Sequence, residues 1–250
     1  MSNTKPVRRV AIIGTGVIGA GWTALFLAKG LDVIATDIAP DAETSLRRFV
    51  KAAWPALERL GLASSASQSR LTFTADLPTA VRSADFVQEN GPERIDFKQK
   101  LYRQLDELLA ADVIIASSSS GLTMSAIQSA CDLHPERCVI GHPFNPPHLV
   151  PLVEIVGGAN TSEATIGRAM EFYTSLGKQA VRLRKEVPGH VANRLLLDAA
   201  WAAAEVVEHH VAHDAPTQAR SPAQRGIDVC RADDAFGDEV IDLPRQRRLR

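Results

Sequence analysis

The sequence predicts an α/β chain built on a doubly wound, mostly parallel sheet. Three observations carry that expectation. Short runs rich in β-branched residues recur along the chain, helical apolar spacings fill the intervals between them, and glycines spaced G-x-G-x-x-G follow the first run. That first run is Val10-Ala11-Ile12-Ile13; the glycines are Gly14, Gly16 and Gly19, and Ala20, Trp22, Leu25 and Leu27 continue as a helix.

Each glycine has a physical task. Gly14 allows a tight turn, Gly16 lets backbone approach a pyrophosphate, and Gly19 lets the helix pack on the strand. Val17 and Ile18 open the helix, whose unpaired N–H groups and positive dipole end suit phosphate. Leu31 to Thr36 reads as a second strand ending at Asp37, about where the Rossmann pattern places the carboxylate that bonds the adenosine ribose. Asp37 would repel a 2′-phosphate, and Ile38-Ala39-Pro40 offers no arginine to receive one. The expected cofactor is therefore NAD rather than NADP.

Beyond Pro40, Leu46, Phe49, Val50, Trp54 and Leu57 recur at helical spacing, with Gly61 as the stop and a polar loop from Ala63 to Ser69. Leu71-Thr72-Phe73 reads as a short strand, Leu77 to Val81 as a short helix, and Asp85 to Gln88 as a strand ending at Glu89-Asn90. A charged helix follows, with Phe97, Leu101, Leu105 and Leu108 on one face. Val113 to Ala116 and Cys138 to Gly141 are buried-strand runs, the first followed by Ser117 to Ser120, the second by His142. Leu152 to Val156 and Gln179 to Leu183 bracket a helix around Ile166 to Leu176.

Ligands of such sheets gather at the carboxyl ends of strands. Asp37, Glu89, Ser120 and His142 each fall at or just beyond such an end, so the architecture itself brings them around one crevice.

The bulk numbers exclude several classes. A hydrophobic content of 45% and a charged content of 23% are those of a soluble globular protein, and a net charge of -1 gives no footprint for nucleic acid or an anionic membrane. The three cysteines, Cys131, Cys138 and Cys230, form no C-x-x-C pair and fit a reducing cytoplasm. No apolar run suits a signal peptide or a membrane span. Glu205, His209 and His213 share a helical face at metal-ligand spacing, but no fourth ligand accompanies them and no metal is expected.

Four further segments carry chemistry: Ser117-Ser118-Ser119-Ser120-Gly121-Leu122, Gly-His-Pro-Phe-Asn-Pro-Pro-His around His142, Leu-Val-Glu-Ile-Val around Glu154, and Pro188-Gly189-His190-Val191-Ala192-Asn193-Arg194-Leu195. In this order, over residues 8 to 197, they resemble the NAD-dependent 3-hydroxyacyl-CoA dehydrogenase family, which includes L-carnitine dehydrogenase and the λ-crystallin/L-gulonate dehydrogenase branch. The resemblance implies that His142 is the general base for a substrate 3-hydroxyl and that Glu154 orients its imidazole. Histidine, which titrates near neutral pH and needs an orienting partner, suits that task. By the same resemblance Ser120 and Asn193 hold the substrate oxygen and the nicotinamide end, Glu89 lies beside the cofactor, and Arg94 stands where acyl-CoA enzymes place a cofactor-contacting lysine. A homodimer is the family's assembly.

The resemblance also divides substrates between CoA thioesters and small free acids. The region Asp41 to Arg70 holds one lysine, Lys51, against a lysine-rich segment in the acyl-CoA enzymes. Glu89-Asn90-Gly91-Pro92-Glu93-Arg94 and Arg184-Lys185-Glu186-Val187-Pro188-Gly189 look closer to the carnitine dehydrogenase branch, which favours a small carnitine-like acid. A short-chain 3-hydroxyacyl-CoA is the alternative, and an NAD-binding, crystallin-like protein without turnover is the reading of a different class. Three regions are expected: an NAD-binding domain over 1–186, the first helix of a truncated helical domain over 187–213, and a tail over 214–250. From Asp214 the sequence is rich in Ala, Arg, Asp and Pro without sustained apolar periodicity, as expected of a disordered tail or a shifted reading frame.

Overall fold

The computed structural model describes residues 6–187, 189 and 241–242. The elements are β1 (Arg9–Ile13), α1 (Val17–Ala28), β2 (Asp32–Thr36), α2 (Ala42–Leu60), β3 (Leu71–Phe73), α3 (Leu77–Val81), β4 (Phe86–Glu89), α4 (Ile95–Leu108), β5 (Ile114–Ser117), α5 (Met124–Gln128), β6 (Cys138–Pro143), β7 (Leu152–Gly157), α6 (Glu163–Ser175), β8 (Gln179–Leu183) and the two-residue β9 (Ile241–Asp242). They form one sheet in the order β3-β2-β1-β4-β5-β6-β7-β8-β9. The chain winds outward from β1 through β2 to β3, then returns to the other side of β1 with β4, β5 and β6, all parallel. β7 enters antiparallel to β6, β8 runs parallel to β7, and β9 is antiparallel to β8. The doubly wound, mostly parallel Rossmann-like sheet expected from sequence is thus present, with its switch point between β1 and β4.

Strand alternation divides the core between the two faces of the sheet. Val10 and Ile12 face a cluster that includes Trp22, Phe26, Phe86, Phe172 and Tyr173. Ala11 and Ile13 face the other, with Val87, Tyr102, Leu105 and Met124. α1 is apolar on all sides and buried from Gly19 to Ala28, as befits a helix covered on both sides. Side chains fix several helix starts: Asp76 accepts from the Thr79 N–H, Thr123 from Ala126 and Ser162 from Thr165.

The departures from the sequence reading are local. Leu108 is exposed, because the buried stripe of α4 is Lys98, Leu101, Tyr102 and Leu105. α5 and the single 3-10 turns at Gln68–Arg70 and Pro135–Arg137 are too short to show apolar periodicity. Asn193, the metal-spaced trio Glu205, His209 and His213, and nearly all of the expected regions 187–213 and 214–250 lie outside the described residues. No helix among the described residues is long and apolar enough to cross a membrane.

Candidate active site

The glycine turn is built as its spacing requires. Gly14 has φ +81°, and a Cβ there would lie 2.8 Å from the Asn90 carbonyl oxygen. A Cβ at Gly19 would collide with the Gly14 carbonyl, so the helix can approach the strand only with glycine at that position. Gly16, by contrast, faces open space. Its open side, at the N-terminus that Val17 and Ile18 begin, is the position a pyrophosphate needs.

Asp37, one residue beyond β2, closes over the same turn. One carboxylate oxygen accepts from the Thr15 N–H at 2.7 Å and the Thr15 hydroxyl at 2.9 Å; the other accepts from the Ala39 N–H at 3.0 Å. Partial burial opposes ionisation of Asp37, but these donors prevail and hold its carboxyl below the usual aspartate range. A cavity of about 640 Å³ opens beside it, lined by Gly16, Asp37, Ile38, Leu77, Phe97 and Leu101. An open glycine cradle, a helix N-terminus, an ionised carboxylate and an apolar slot together fit a dinucleotide such as NAD.

At the end of β4 the charged residues differ sharply in burial. Glu89 is fully buried; both its oxygens lie 2.8 Å from Lys98 Nζ, and it also accepts from the Ser117 hydroxyl at 2.6 Å and the Gly91 N–H at 2.5 Å. Through Gly91, which lines the cavity, it braces the rim of the crevice. Arg94 is exposed at the start of α4 and pairs with Asp96 at 2.5 Å. Lys98, one turn further on, is buried. Its only sign in the sequence is its spacing, i, i+3 and i+7 with Leu101 and Leu105.

The serine run is an ordered turn in which every serine has a bond. Ser117 holds Glu89, Ser118 donates to Asn90 Oδ1 at 2.7 Å, and Ser119 donates to Glu93 at 2.6 Å. The Ser120, Gly121 and Leu122 N–H groups converge on that same Glu93 oxygen at 3.1, 2.6 and 3.1 Å. Enclosure of the Glu93 carboxyl favours its neutral form, but these donors outweigh it and lower its pKa. The partners of Glu93 lie 26 or more positions away, and no local pattern in the sequence announces them.

His142 and Glu154 are directly opposite one another across the antiparallel β6–β7 pair. Both are buried, and His142 Nδ1 lies 2.9 Å from Glu154 Oε2. The Phe144 ring stands edge-on to the imidazole with centroids 5.1 Å apart. The β7 reversal makes the pair possible, since only an antiparallel neighbour brings residues 142 and 154 into register within one short hairpin-like connection. The structure thus gathers the glycine turn, Asp37, Ser120 and the His142–Glu154 pair along the carboxyl edge of β1 to β6.

Sheet order, switch point and glycine cradle define a dinucleotide-binding domain. The 3-hydroxyacyl-CoA dehydrogenase NAD-binding domain model matches residues 9–187, and the chain belongs to that family. L-carnitine dehydrogenase of Streptomyces griseus is 54% identical over 198 residues, covering 79% of this chain. That of Pseudomonas putida is 53% identical over 195 residues, covering 78%. The chain spans 58% and 60% of the lengths of these two relatives. Among solved structures, an NAD+-dependent dismutase, 5-formyl-3-hydroxy-2-methylpyridine 4-carboxylic acid 5-dehydrogenase, superposes with TM-score 0.76 at 34% identity, over 91% of this chain and 70% of that one. The 3-hydroxybutyryl-CoA dehydrogenase of Escherichia coli superposes with TM-score 0.72 at 30% identity, over 80% of this chain and 43% of that one.

Proposed function

We propose that this chain is the cofactor-binding and catalytic part of an NAD-dependent dehydrogenase that oxidises the 3-hydroxyl of a small, carnitine-like L-3-hydroxy acid to the ketone. The observation that carries the reading is the buried His142–Glu154 pair on the same carboxyl edge of the sheet as the glycine cradle. With Nδ1 bonded to Glu154, the neutral ring has its lone pair on Nε2, where it accepts the substrate hydroxyl proton. Glu154 fixes that tautomer and stabilises the imidazolium as it forms. Ser120 and Asn193 hold the substrate oxygen and the nicotinamide end, and Asp37 selects NAD over NADP through its charge. NAD, when bound, supplies the acceptor for the hydride that leaves the same carbon.

The carnitine-like substrate is supported by the names of the Streptomyces griseus and Pseudomonas putida relatives, both above 50% identity. A short-chain 3-hydroxyacyl-CoA is the second reading, favoured by the similarity to the 3-hydroxybutyryl-CoA dehydrogenase. Incubating the protein with NAD and L-carnitine, L-gulonate or 3-hydroxybutyryl-CoA in parallel, and following NADH absorbance, separates them. NADH formation with L-carnitine is the expected result; turnover of the thioester alone would transfer the assignment to acyl-CoA chemistry.

A further inference from the structure

The β6–β7 ladder holds His142 opposite Glu154, and the connection between the two strands, residues 144–151, closes that ladder next to them. That connection leaves β6 two residues after His142 and enters β7 two residues before Glu154. Lys178, from outside the connection, grips it at two points. Its Nζ donates to the Pro147 carbonyl and, at 2.7 Å, to the Val150 carbonyl.

The sequence places Lys178 there through a helix stop. Gly177 adopts φ +84° and donates to the Thr174 carbonyl, while the Lys178 N–H donates to the Tyr173 carbonyl, so the end of α6 is closed by a Schellman turn. The chain turns sharply into β8, and the Lys178 side chain enters the interior with 6% of its surface exposed. Its ammonium lies 5.3 Å from the Trp22 ring centroid. Trp22 in turn donates to the Ser118 hydroxyl at 3.2 Å. On the same side Gly21 packs directly on Pro147, where a Cβ would lie 2.7 Å from the proline ring. The connection is therefore clamped between α1 and Lys178.

We infer that Lys178 is a positioning residue for the His142–Glu154 pair, tying down the connection that joins their strands. A lysine is an expensive choice for a purely structural position, because a buried ammonium is heavily desolvated and an apolar side chain fills such a space at lower cost. Burial pushes the Lys178 pKa down to about 8, and the nearby Lys29 charge adds to the shift. Its partners are two carbonyls and a ring face, and both carbonyls belong to the one segment that closes the ladder next to base and orienting carboxylate. The inference rests on the proposed role of His142, but the bond it concerns can be read without turnover.

The test uses the whole chain with 15N-labelled histidine. The hydrogen-bonded Nδ1–H resonance of His142 is identified by its loss in His142→Gln. In Lys178→Met this resonance should shift or broaden, and its exchange with water should accelerate by about tenfold or more. NADH affinity should stay within about twofold, because the glycine turn is untouched. Lys178→Gln, which keeps one neutral donor, is the second variant and should give an intermediate effect. Where the unaltered chain turns over a hydroxy acid, kcat should fall about tenfold or more in Lys178→Met. A folded variant of either kind with an unchanged His142 resonance overturns the inference, even if its melting temperature has fallen. Absence of turnover with any hydroxy acid in the unaltered chain would count against the proposed function and leave the resonance test standing.

Discussion

Glu89 and Lys98 form an ion pair that solvent does not reach: their side chains are 0% and 1% exposed, and the ammonium sits 2.8 Å from both carboxylate oxygens. Such a pair stabilises little relative to an apolar replacement, yet breaking it from one side strands a buried charge. Lys98→Met should therefore lower unfolding free energy by about 3–5 kcal/mol, as should Lys98→Ala. Adding Glu89→Gln to Lys98→Met should recover a substantial part of that loss. Urea unfolding of the single and double variants measures this, and strictly additive losses would contradict the buried-pair account.

The fold was legible because its signals are local and physical. β-Branched runs, the Gly14-x-Gly16-x-x-Gly19 turn and, apart from Leu108, the helical spacings reappear in the fold, and Asp37, Ser120 and His142 lie at or just beyond strand ends. What sequence could not supply was the pairing between distant segments. Glu89 and Lys98 are nine positions apart across a loop and a helix start, and only the fold shows that they exclude solvent together. The serine run gives no sequence sign of its partner Glu93, which lies across the neighbouring strand end. Arg94 and Lys98 are both cations on one helical turn; burial, which a linear pattern reports only through the apolar neighbours of Lys98, separates their roles.

Asp37 is proposed to govern cofactor choice. Its carboxylate is anchored by Thr15 and Ala39 and kept ionised, so a 2′-phosphate would meet a fixed negative charge. Fluorescence titration should find NADH bound at least about tenfold more tightly than NADPH. Asp37→Ala should weaken NADH binding and narrow the difference. Equal affinity of the unaltered chain for both cofactors would refute the role given to this carboxylate.

Glu93 should mark the acid limb of stability. Because its folded pKa is lowered from 4.5, the folded state favours the ionised form. The resulting stabilisation is fully present above 4.5 and is lost as pH falls through the lowered folded value. Glu93→Gln should thus lower stability at neutral pH and flatten its decline in acid. Urea midpoints collected between neutrality and strongly acidic pH provide the comparison. A parallel displacement of the whole curve, with the same acid slope, would exclude Glu93 as a contributor.

The last prediction separates the two members of the β6–β7 pair. His142 is proposed to move a proton, whereas Glu154 acts on it through Nδ1 at 2.9 Å. His142→Ala should reduce kcat by about a hundred- to ten-thousand-fold, the usual range for loss of a general base. Glu154→Gln keeps a group of similar shape within hydrogen-bonding reach but removes the negative charge that stabilises the imidazolium. It should therefore lower kcat substantially while leaving NADH affinity within about twofold, since the glycine turn and Asp37 are remote from it. Steady-state kinetics with the substrate identified above, paired with NADH titrations on the same preparations, give both numbers. Near-normal turnover in His142→Ala would remove the histidine from the chemistry. An effect of Glu154→Gln on cofactor affinity alone would move Glu154 from orienting the base to shaping the cofactor site.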